Sequence, residues 1–226
     1  MTFKRVVTGV PGLDDLIEGG IPENFIILVS GTSGTGKTTL CMQFLAEGIK
    51  QNEKGIYIGL GEDIDIIQRS MSNYGLDLEK MAENDQLIFA DIPALNIEEA
   101  AAILEGIGED TRRLVIDPLS ALLFAYQDME LRQKIRELVE IIREKNITAL
   151  ITTELPEHSK GISRFGIEDF LSDGIIVLYY FREGAKRYRG LEVRKMRGTA
   201  HSSDIHLYKI STGQGIQVFK NRITFE

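Results

Sequence analysis

Short apolar runs alternate with amphipathic stretches along the first two thirds of the chain, a pattern typical of parallel strands covered by helices. The apolar runs are continuous, as in strands that are buried on both faces. The predicted strands of this part are Phe25–Ser30, Gly55–Leu60, Gln86–Ile92, Arg113–Asp117 and Ile147–Thr153. The helices predicted between them are Thr39–Lys50, Asp63–Tyr74, Asn96–Gly108 and Asp128–Lys145.

The last of these helices has a clear amphipathic pattern. Its apolar side chains recur at helical spacing and form one inner face, made of Leu131, Ile135, Leu138, Val139 and Ile142. We expect Asp128 to cap its start and Asn146 to end it in a left-handed turn. In the preceding helix, Asn96 and Glu99 have the spacing of a capping box.

From Gly174 onward the pattern changes to strands joined by Gly-containing turns, which predicts an antiparallel meander. Its predicted strands are Ile175–Phe181, Leu191–Arg197, Ile205–Ile210 and Ile216–Phe219. The sequence thus predicts an α/β fold, a mostly parallel central sheet flanked by helices and extended by C-terminal antiparallel strands. We expect residues 1–226 to form a single domain. The segment 154–170 is the longest irregular stretch, and such loops are often functional.

Composition narrows the classes of protein that need to be considered. The chain of 226 residues has a net charge of −8, which argues against a surface broadly dedicated to DNA. No apolar run approaches the roughly 18–20 residues of a membrane span. The N-terminus does not resemble a signal peptide, so we expect a cytoplasmic protein without membrane contacts. The single cysteine, Cys41, is expected to be a packing residue, since it cannot form an internal disulfide.

A phosphate-binding loop stands between the first long predicted strand and its helix. It is a complete G-x-x-x-x-G-K-T motif, made of Gly31, Thr32, Ser33, Gly34, Thr35, Gly36, Lys37 and Thr38. Its glycines let backbone N–H groups surround phosphate oxygens, and the helix N-terminus adds the positive end of its dipole. We expect Lys37 to reach the β- and γ-phosphates and Thr38 to ligate Mg²⁺, with Thr39 beside it. The motif and its strand–helix context therefore predict nucleotide binding.

Carboxylates after two other predicted strands extend the expected site. Asp117 ends the apolar run L-V-I-D and is predicted to hold the Mg²⁺ shell, although strands often end at Asp-Pro turns. Hydrolysis needs a base or a water-positioning group near the γ-phosphate. The best candidate is Glu62, just beyond the strand Gly55–Leu60, which we expect next to the phosphate-loop strand. The alternative is that Glu62 and Asp63 simply begin the following helix.

Basic residues are concentrated in one segment of this acidic chain. Between residues 182 and 197, seven basic side chains stand against two acidic ones. Lys195 and Arg197 are two apart on a predicted strand, so we expect them on one face, roughly 7 Å apart. Such a pair needs a facing anion, either a phosphate group or an acidic side chain. The hairpin around Lys186–Arg189 either holds single-stranded DNA or faces the acidic surface of a neighbouring subunit.

Further segments resemble one protein family. They are Thr8–Pro22 (T-G-V-P-G-L-D-D-L-I-E-G-G-I-P), Thr152–Glu154, Arg164–Gly174 and Lys195–His201. Together with the phosphate loop they extend over essentially the whole chain. The chain resembles a single KaiC-like domain of the RecA superfamily, of the archaeal KaiC-like and RadA-paralogue type.

The resemblance implies an ATP- and Mg²⁺-dependent ATPase that forms a ring, usually a hexamer, with nucleotide bound between neighbouring subunits. It implies that Lys195 and Arg197 reach the γ-phosphate of the nucleotide on the adjacent subunit. His201 would lie near that same nucleotide, whereas the residues alone indicate an ordinary turn histidine. ATP is favoured over GTP because the chain has no Asn-Lys-x-Asp guanine element.

The chain departs from the family pattern at several points. Family domains usually carry two adjacent glutamates after the second strand, and Gly61 stands here in place of the first, before Glu62. The family's clock proteins have two domains in tandem, and their phosphorylated Ser-Thr pair corresponds to Asp169 and Phe170 here. A phosphorylation clock is therefore not expected. Nor does the sequence before Thr8 suggest an additional domain or the polymerisation arm of recombinases.

Three functions follow from these observations. The first is an ATPase whose hydrolysis is coupled to ring assembly and is slow. The second is an ATP-gated signalling scaffold in which hydrolysis is incidental, which Gly61 favours. The third is a single-stranded-DNA-binding recombinase paralogue that regulates recombination or repair through the hairpin at residues 182–197.

Overall fold

Strands and helices alternate up to residue 154, and long strands follow from Gly174. The computed structural model describes residues 3–92, 96–124, 126, 128–157, 161–162 and 171–222. The strands are β1 (Arg5–Val6), β2 (Ile21–Pro22), β3 (Ile26–Gly31), β4 (Lys54–Leu60), β5 (Leu87–Ile92), β6 (Thr111–Asp117), β7 (Thr148–Glu154), β8 (Gly174–Glu183), β9 (Lys186–Met196), β10 (Ile205–Ser211) and β11 (Gly215–Arg222). The α-helices are α1 (Lys37–Lys50), α2 (Ile64–Ser72), α3 (Leu78–Glu83), α4 (Ile97–Gly106) and α5 (Asp128–Glu144), and two 3₁₀ helices are Asp14–Ile17 and Leu119–Phe124.

A nine-stranded sheet in the order β11-β10-β9-β8-β3-β7-β6-β4-β5 forms the centre of the fold. The six strands from β8 to β5 in this order are mutually parallel. The remaining three continue from β8 as antiparallel neighbours. The predicted α/β class, with a parallel sheet and an antiparallel C-terminal meander, is therefore confirmed.

The expected position of β4 in this sheet is wrong. The prediction placed the strand Gly55–Leu60 next to the phosphate-loop strand, but β6 and β7 lie between β4 and β3. The order of parallel strands depends on how the intervening helices cross over the sheet. Local hydrophobic periodicity carries no information about that order. Glu62 is thus further from the phosphate-loop strand, across the sheet, than the sequence suggests.

Two apolar layers cover the parallel part of the sheet. Successive residues of β6 contribute to different layers, because Val115 packs on the side of α1 and Ile116 on the side of α4 and α5. Phe44 of α1 is completely buried in the first layer. Burying a side chain of this size stabilises the fold by about 1.5–3 kcal/mol. Burial on both faces explains why these strands read as continuous apolar runs.

Helix α5 shows the inner face that its periodicity predicts. Its apolar residues Leu131, Ile135, Leu138, Val139 and Ile142 are all buried. Asn146 has a φ of 54° just after the helix, which confirms the predicted left-handed turn. The predicted cap at Asp128 concerns a side chain that lies outside the described residues. Among the helices that the structure describes, none is long and apolar enough to cross a membrane.

The N-terminal segment is tied to the core through one buried arginine. Arg113 on β6 is fully buried. Its NH1 donates to the carbonyl oxygens of Val7 at 2.8 Å and Phe44 at 2.7 Å, and its Nε pairs with Glu53 at 2.6 Å. The guanidinium carbon also lies 4.6 Å from the centre of the Phe44 ring. One side chain thereby joins the N-terminal segment, α1 and β6.

Candidate functional site

The G-x-x-x-x-G-K-T loop turns between the carboxyl end of β3 and the start of α1. Gly36 is the N-cap of α1, with a φ of 94° and no capping side chain. A Cβ at this position would lie 2.7 Å from Ile210 Cδ1 on β10. Only glycine tolerates this combination of left-handed backbone and close packing. The first turn of α1 consequently has its amides available for an anion, as the motif predicts.

Lys37 lies over this loop. Its ammonium donates to the carbonyl oxygens of Gly31 and Thr32, both at 3.1 Å. Burial lowers the pKa of Lys37, and the nearby carboxylates of Glu154 and Asp117 oppose that shift. A half-buried cation held by two carbonyl groups can turn towards a stronger anion, such as a phosphate oxygen.

Thr38 and Asp117 meet beside the lysine. The Thr38 hydroxyl donates to Asp117 Oδ2 at 2.7 Å, and the carboxylate is only 2% exposed. The Tyr57 hydroxyl donates to the same Oδ2 at 3.2 Å, and Thr152 donates to Oδ1. Burial followed by the charge of Asp117 raises the pKa of Tyr57, so its hydroxyl keeps its proton. The hydroxyl groups therefore fix the carboxylate towards the start of α1.

These oxygen atoms suit a hard divalent cation. Hydroxyl and carboxylate oxygens are the ligands that Mg²⁺ accepts, and this ion usually keeps waters and substrate phosphates as further ligands. Within the described ranges, no group of three or more His, Cys, Asp or Glu residues is arranged to hold a metal by itself. The donor set of Thr38 and Asp117 thus fits Mg²⁺ that arrives with a phosphate ligand.

Two adjacent acidic residues, Glu62 and Asp63, follow β4. Glu62 follows β4, where Gly61 N–H donates to Ile92 O at 2.9 Å. Partial burial and then the charges of Asp117 and Glu154 raise the pKa of Glu62. Asp63 caps α2, because its carboxylate accepts from Ile66 N–H at 3.1 Å. The two adjacent acids accordingly have separate environments, and Glu62 is the one whose charge interacts with Asp117, Glu154 and Lys37.

Glu154 is a residue that the sequence analysis did not assign to the site. It ends β7 and pairs in register with Gly31, the first residue of the phosphate loop. Its N–H donates to Ser120 Oγ at 3.1 Å. The signal was present, because the run Thr152–Glu154 follows an apolar strand. Its position next to the loop depends on the order of β7 and β3, which the sequence does not reveal.

Lys195 and Arg197 lie at the other end of β3. Gly174 pairs with Ile27 near the start of β3 and with Met196 on β9. The loop begins at Gly31, four residues beyond Ile27, and four strand residues span about 13 Å. Both cations therefore lie across the length of the sheet from their own chain's phosphate loop. The structure does not bring them together with Lys37.

The two cations contact consecutive residues at this amino end. Lys195 Nζ donates to Ser172 O at 2.6 Å, and Arg197 NH1 pairs with Asp173 Oδ1 at 3.2 Å. The strand ends at Met196, so Arg197 stands just outside it. A register shift in the pairing of β8 with β9 precedes Lys195. The predicted strand Leu191–Arg197 thus ends one residue too late and begins five residues after the observed start at Lys186.

His201 lies in the loop that follows these cations. Its Nδ1 is 2.9 Å from Ser202 O, and Ser202 N–H donates to Leu16 O at 3.0 Å. Arg5 fixes the same loop, because its NH1 donates to Thr199 Oγ1 at 2.7 Å. The loop is thereby held against the N-terminal segment Thr8–Pro22, on the same side as Arg197.

The basic hairpin projects beyond the phosphate-loop end of the sheet. Tyr180 on β8 is 41% exposed, and the guanidinium carbons of Arg187 and Arg189 lie 5.4 and 5.0 Å from its ring centre. Arg189 pairs in register with Tyr208, whose hydroxyl donates to Thr35 O in the phosphate loop. An exposed aromatic face with two arginines therefore stands beside the phosphate loop of its own chain.

Comparisons with known proteins show which family the chain resembles. The family model for the KaiC ATPases matches residues 6–223. The circadian clock oscillator protein KaiC of Parasynechococcus marenigrum is 33% identical to the chain, over 97% of the chain and 45% of that protein. The KaiC of Parathermosynechococcus lividus is 34% identical, over 94% of the chain and 42% of that protein. The chain therefore spans less than half the length of these curated relatives.

A solved structure is similar over its whole length. The crystal structure of a KaiC-like protein from the hyperthermophilic archaeon Pyrococcus horikoshii aligns with a TM-score of 0.86 and 34% sequence identity. The alignment covers 96% of this chain and 99% of that one. Similarity at this level extends to the sheet, the phosphate loop and the C-terminal meander together.

Proposed function

The chain belongs to the KaiC family of ATPases, and from that premise we propose that it binds Mg-ATP and hydrolyses it slowly. We infer one ATPase domain over residues 1–226, which assembles into a closed ring, expected to be a hexamer. The observation that carries the proposal is the bond between Thr38 and Asp117 beside Lys37. It joins a phosphate loop to a carboxylate at the carboxyl end of a parallel sheet, where such folds bind nucleotides.

Phosphate binding in this proposal begins with the amides of the loop. Residues Gly34–Thr39 supply backbone N–H groups and the helix dipole to the β-phosphate. Lys37 leaves the carbonyl oxygens of Gly31 and Thr32 and donates to the β- and γ-phosphates. Thr38 and Asp117 hold the metal side of the nucleotide. When bound, Mg²⁺ would neutralise part of the negative charge on the phosphate groups.

Glu62 is the proposed general base. In hydrolysis it takes a proton from the attacking water as the water oxygen bonds to the γ-phosphorus. The bond from that phosphorus to the bridging oxygen breaks, and ADP is the leaving group. The proton later passes from Glu62 to solvent. The raised pKa of Glu62 supports this role, because a base works best when its pKa approaches the working pH. Gly61 removes the neighbouring carboxylate of the family pattern. Slow turnover is the expected result.

Completion of the site by a neighbouring copy is the second part of the proposal. Lys195, Arg197 and His201 are assigned to the nucleotide on the adjacent subunit. Their separation from the phosphate loop by the length of β3 supports this, since they cannot serve their own chain's nucleotide without a large rearrangement. A head-to-tail contact between different surfaces is heterologous, and such contacts form a ring when the rotation between successive copies closes.

Two other functions remain as second candidates. Gly61 supports an ATP-gated scaffold, in which nucleotide orders the ring and little phosphate is released. The aromatic and basic face of Tyr180, Arg187 and Arg189 supports contacts with single-stranded DNA. Tyr208, which lies beside Arg189 on this face, donates to Thr35 O in the phosphate loop. This position favours contact of the face with the bound nucleotide over contact with DNA.

Phosphate release from Mg-ATP tests the proposal. We expect measurable turnover by the wild type, and none above background for Lys37→Ala or Arg197→Ala. Sedimentation velocity with and without ATP would report ring assembly in the same samples. Full activity of Arg197→Ala would contradict the shared site. ATP binding and ring formation without phosphate release would favour the scaffold, and stimulation by single-stranded DNA would favour the recombinase-related function.

A further inference from the structure

One buried carboxylate holds the arginine that is assigned to the neighbouring site. Asp173 lies just before β8, and its side chain is only 6% exposed. We propose that Asp173 is a positioning residue, which presents Arg197 to the nucleotide of the next copy and ties it to β3. The inference rests on the proposed action of Arg197 on an adjacent subunit. It adds a residue that none of the sequence motifs assigns to the reaction.

Asp173 is fixed to the start of β3 by both its main chain and its side chain. Its N–H donates to Ile26 O at 2.7 Å, and its Oδ2 accepts from Ile26 N–H at 3.1 Å. Carboxylates that accept backbone N–H bonds in this way have little freedom to rotate. The orientation of Asp173 is therefore set by the strand whose other end carries the phosphate loop.

Arg197 is joined to this fixed residue at two points. Its main-chain N–H donates to Asp173 O at 3.0 Å, and its NH1 pairs with Oδ1 at 3.2 Å. The Arg197 side chain is nevertheless 56% exposed. The buried carboxylate thus orients the guanidinium group from one side and leaves much of it open to a partner.

Arg143 of α5 shares the same carboxylate. Its NH2 lies 3.1 Å from Oδ1 and 3.3 Å from Oδ2 of Asp173, and it also donates to Leu171 O at 3.1 Å. Two guanidinium groups on one carboxylate leave the group of three with a net positive charge. Arg197 therefore keeps positive potential for a γ-phosphate, which a simple one-to-one ion pair would largely cancel.

The rest of the loop is held without this carboxylate. Thr199 is bonded by Arg5, and Ser202 by Leu16 O. The bond from Arg197 N–H uses the main chain of Asp173, which a substitution retains. Asp173→Asn should accordingly preserve the path of the backbone and change mainly the direction and charge environment of the guanidinium group. A positioning role predicts lost turnover with retained nucleotide binding.

The first experiment compares Asp173→Asn with wild type and with Asp110→Asn. The control makes the same chemical change in an exposed ion pair with Lys54. We expect Asp173→Asn to lower kcat by about tenfold to a hundredfold, as misplaced catalytic groups do, with ATP affinity within about twofold. Asp110→Asn should behave as wild type. Wild-type kcat in Asp173→Asn would overturn the proposal.

Mixed assemblies locate the defect. Lys37→Ala copies have no working phosphate loop but carry an intact Asp173 and Arg197. In an equal mixture with Asp173→Asn, half of the subunits have an intact phosphate loop. About half of those loops then face the correctly held Arg197 of a Lys37→Ala neighbour. The mixture should therefore recover about a quarter of the wild-type activity per subunit. No recovery, in conditions where Arg197→Ala is restored by Lys37→Ala, would overturn the role of Asp173.

The same mixtures separate this inference from the proposed function. If Lys37→Ala restores neither Arg197→Ala nor Asp173→Asn, the shared site itself is wrong. Arg143→Gln provides a second variant if Asp173→Asn does not fold, since Arg143 is 45% exposed. It should lower kcat less strongly than Asp173→Asn, and mixing with Lys37→Ala should restore the loss. An unchanged kcat in Arg143→Gln would then count against the charge sharing and overturn the proposal.

Discussion

The Thr38 hydroxyl donates a 2.7 Å hydrogen bond to Asp117 Oδ2, although the two residues are 79 positions apart in the sequence. This bond joins the first turn of α1 to the carboxyl end of β6. Two further strands hold the same carboxylate, since the hydroxyl groups of Tyr57 and Thr152 also donate to it. A preorganised carboxylate needs little rearrangement when Mg-ATP binds.

Asp117→Asn should abolish hydrolysis while the fold remains. The amide oxygen can still accept from the neighbouring hydroxyl groups, so we expect a loss of about 1–2 kcal/mol in the free energy of unfolding. Phosphate release should fall by about a hundredfold or more, because the charge beside the metal is lost. Phosphate assays over a Mg²⁺ titration and urea denaturation would measure the two effects. An unaltered Mg²⁺ dependence would argue against the assignment.

The ATPase rate should begin to fall, on the acid side of its pH profile, at a higher pH than the usual pKa of a glutamate would give. Burial, followed by the charges of Asp117 and Glu154, raises the pKa of Glu62 above its usual 4.5. The rate should therefore fall as the pH drops through this raised pKa, where the base becomes protonated. Glu62→Gln should show a low rate without this fall. A wild-type pH–rate profile in Glu62→Gln would remove Glu62 as the base.

The same shift predicts how Glu62 affects stability. A group whose pKa is raised in the folded state stabilises the fold below its unfolded pKa, and this contribution is lost as the pH rises through the folded pKa. Ionised Glu62 therefore opposes folding at neutral pH. Glu62→Gln should not lower the melting temperature there, and a clear decrease would show that the carboxylate makes stabilising contacts.

Tyr180 should contribute to nucleotide affinity. Arg187 and Arg189 flank its exposed ring. The ring lies near the phosphate loop, because the neighbouring Tyr208 donates to Thr35 O in that loop. A base stacked on an aromatic ring gains about 1–3 kcal/mol. Tyr180→Ala should then weaken ATP binding at least about fivefold, measured by titration calorimetry. Tyr180→Phe is the matched control, and equal affinity of Tyr180→Ala and wild type would exclude stacking.

Arg113→Ala should be strongly destabilising. It leaves the carbonyl oxygens of Val7 and Phe44 and the carboxylate of Glu53 without their donor. Removing one partner of a buried pair costs about 3–5 kcal/mol. The adjacent Arg112 is exposed, and Arg112→Ala should change the free energy of unfolding by no more than about 0.5 kcal/mol. Urea denaturation of both variants would measure the difference.

The sequence predicted those parts of the fold that short-range patterns encode. Periodicity located α5 and the C-terminal meander, and the left-handed turn at Asn146, just after α5, followed from residue type. The prediction missed α3, which has only six residues and little room for a helical repeat. It also missed the pairing of β1 with β2, whose two-residue strands show no alternation.

The site residues could likewise be predicted only where short-range patterns encode them. Spacing alone identified the phosphate loop, and a strand ending in a carboxylate identified Asp117. The roles of Tyr57 and Glu154 depend on which strands are neighbours, and strand order was the part of the topology that periodicity misplaced. Asp173 and Arg143 were missed because their connection to Arg197 crosses three elements. The predicted Asp169 and Phe170 correspondence lies outside the described residues.

The position of the phosphate loop and Arg197 at opposite ends of β3 sets how many working sites an assembly contains. On the proposed arrangement, an isolated copy has both halves and no complete site. An open row of copies has one complete site fewer than its number of subunits, and only closure into a ring completes every site. Specific activity should therefore rise with protein concentration and level off once the rings have closed.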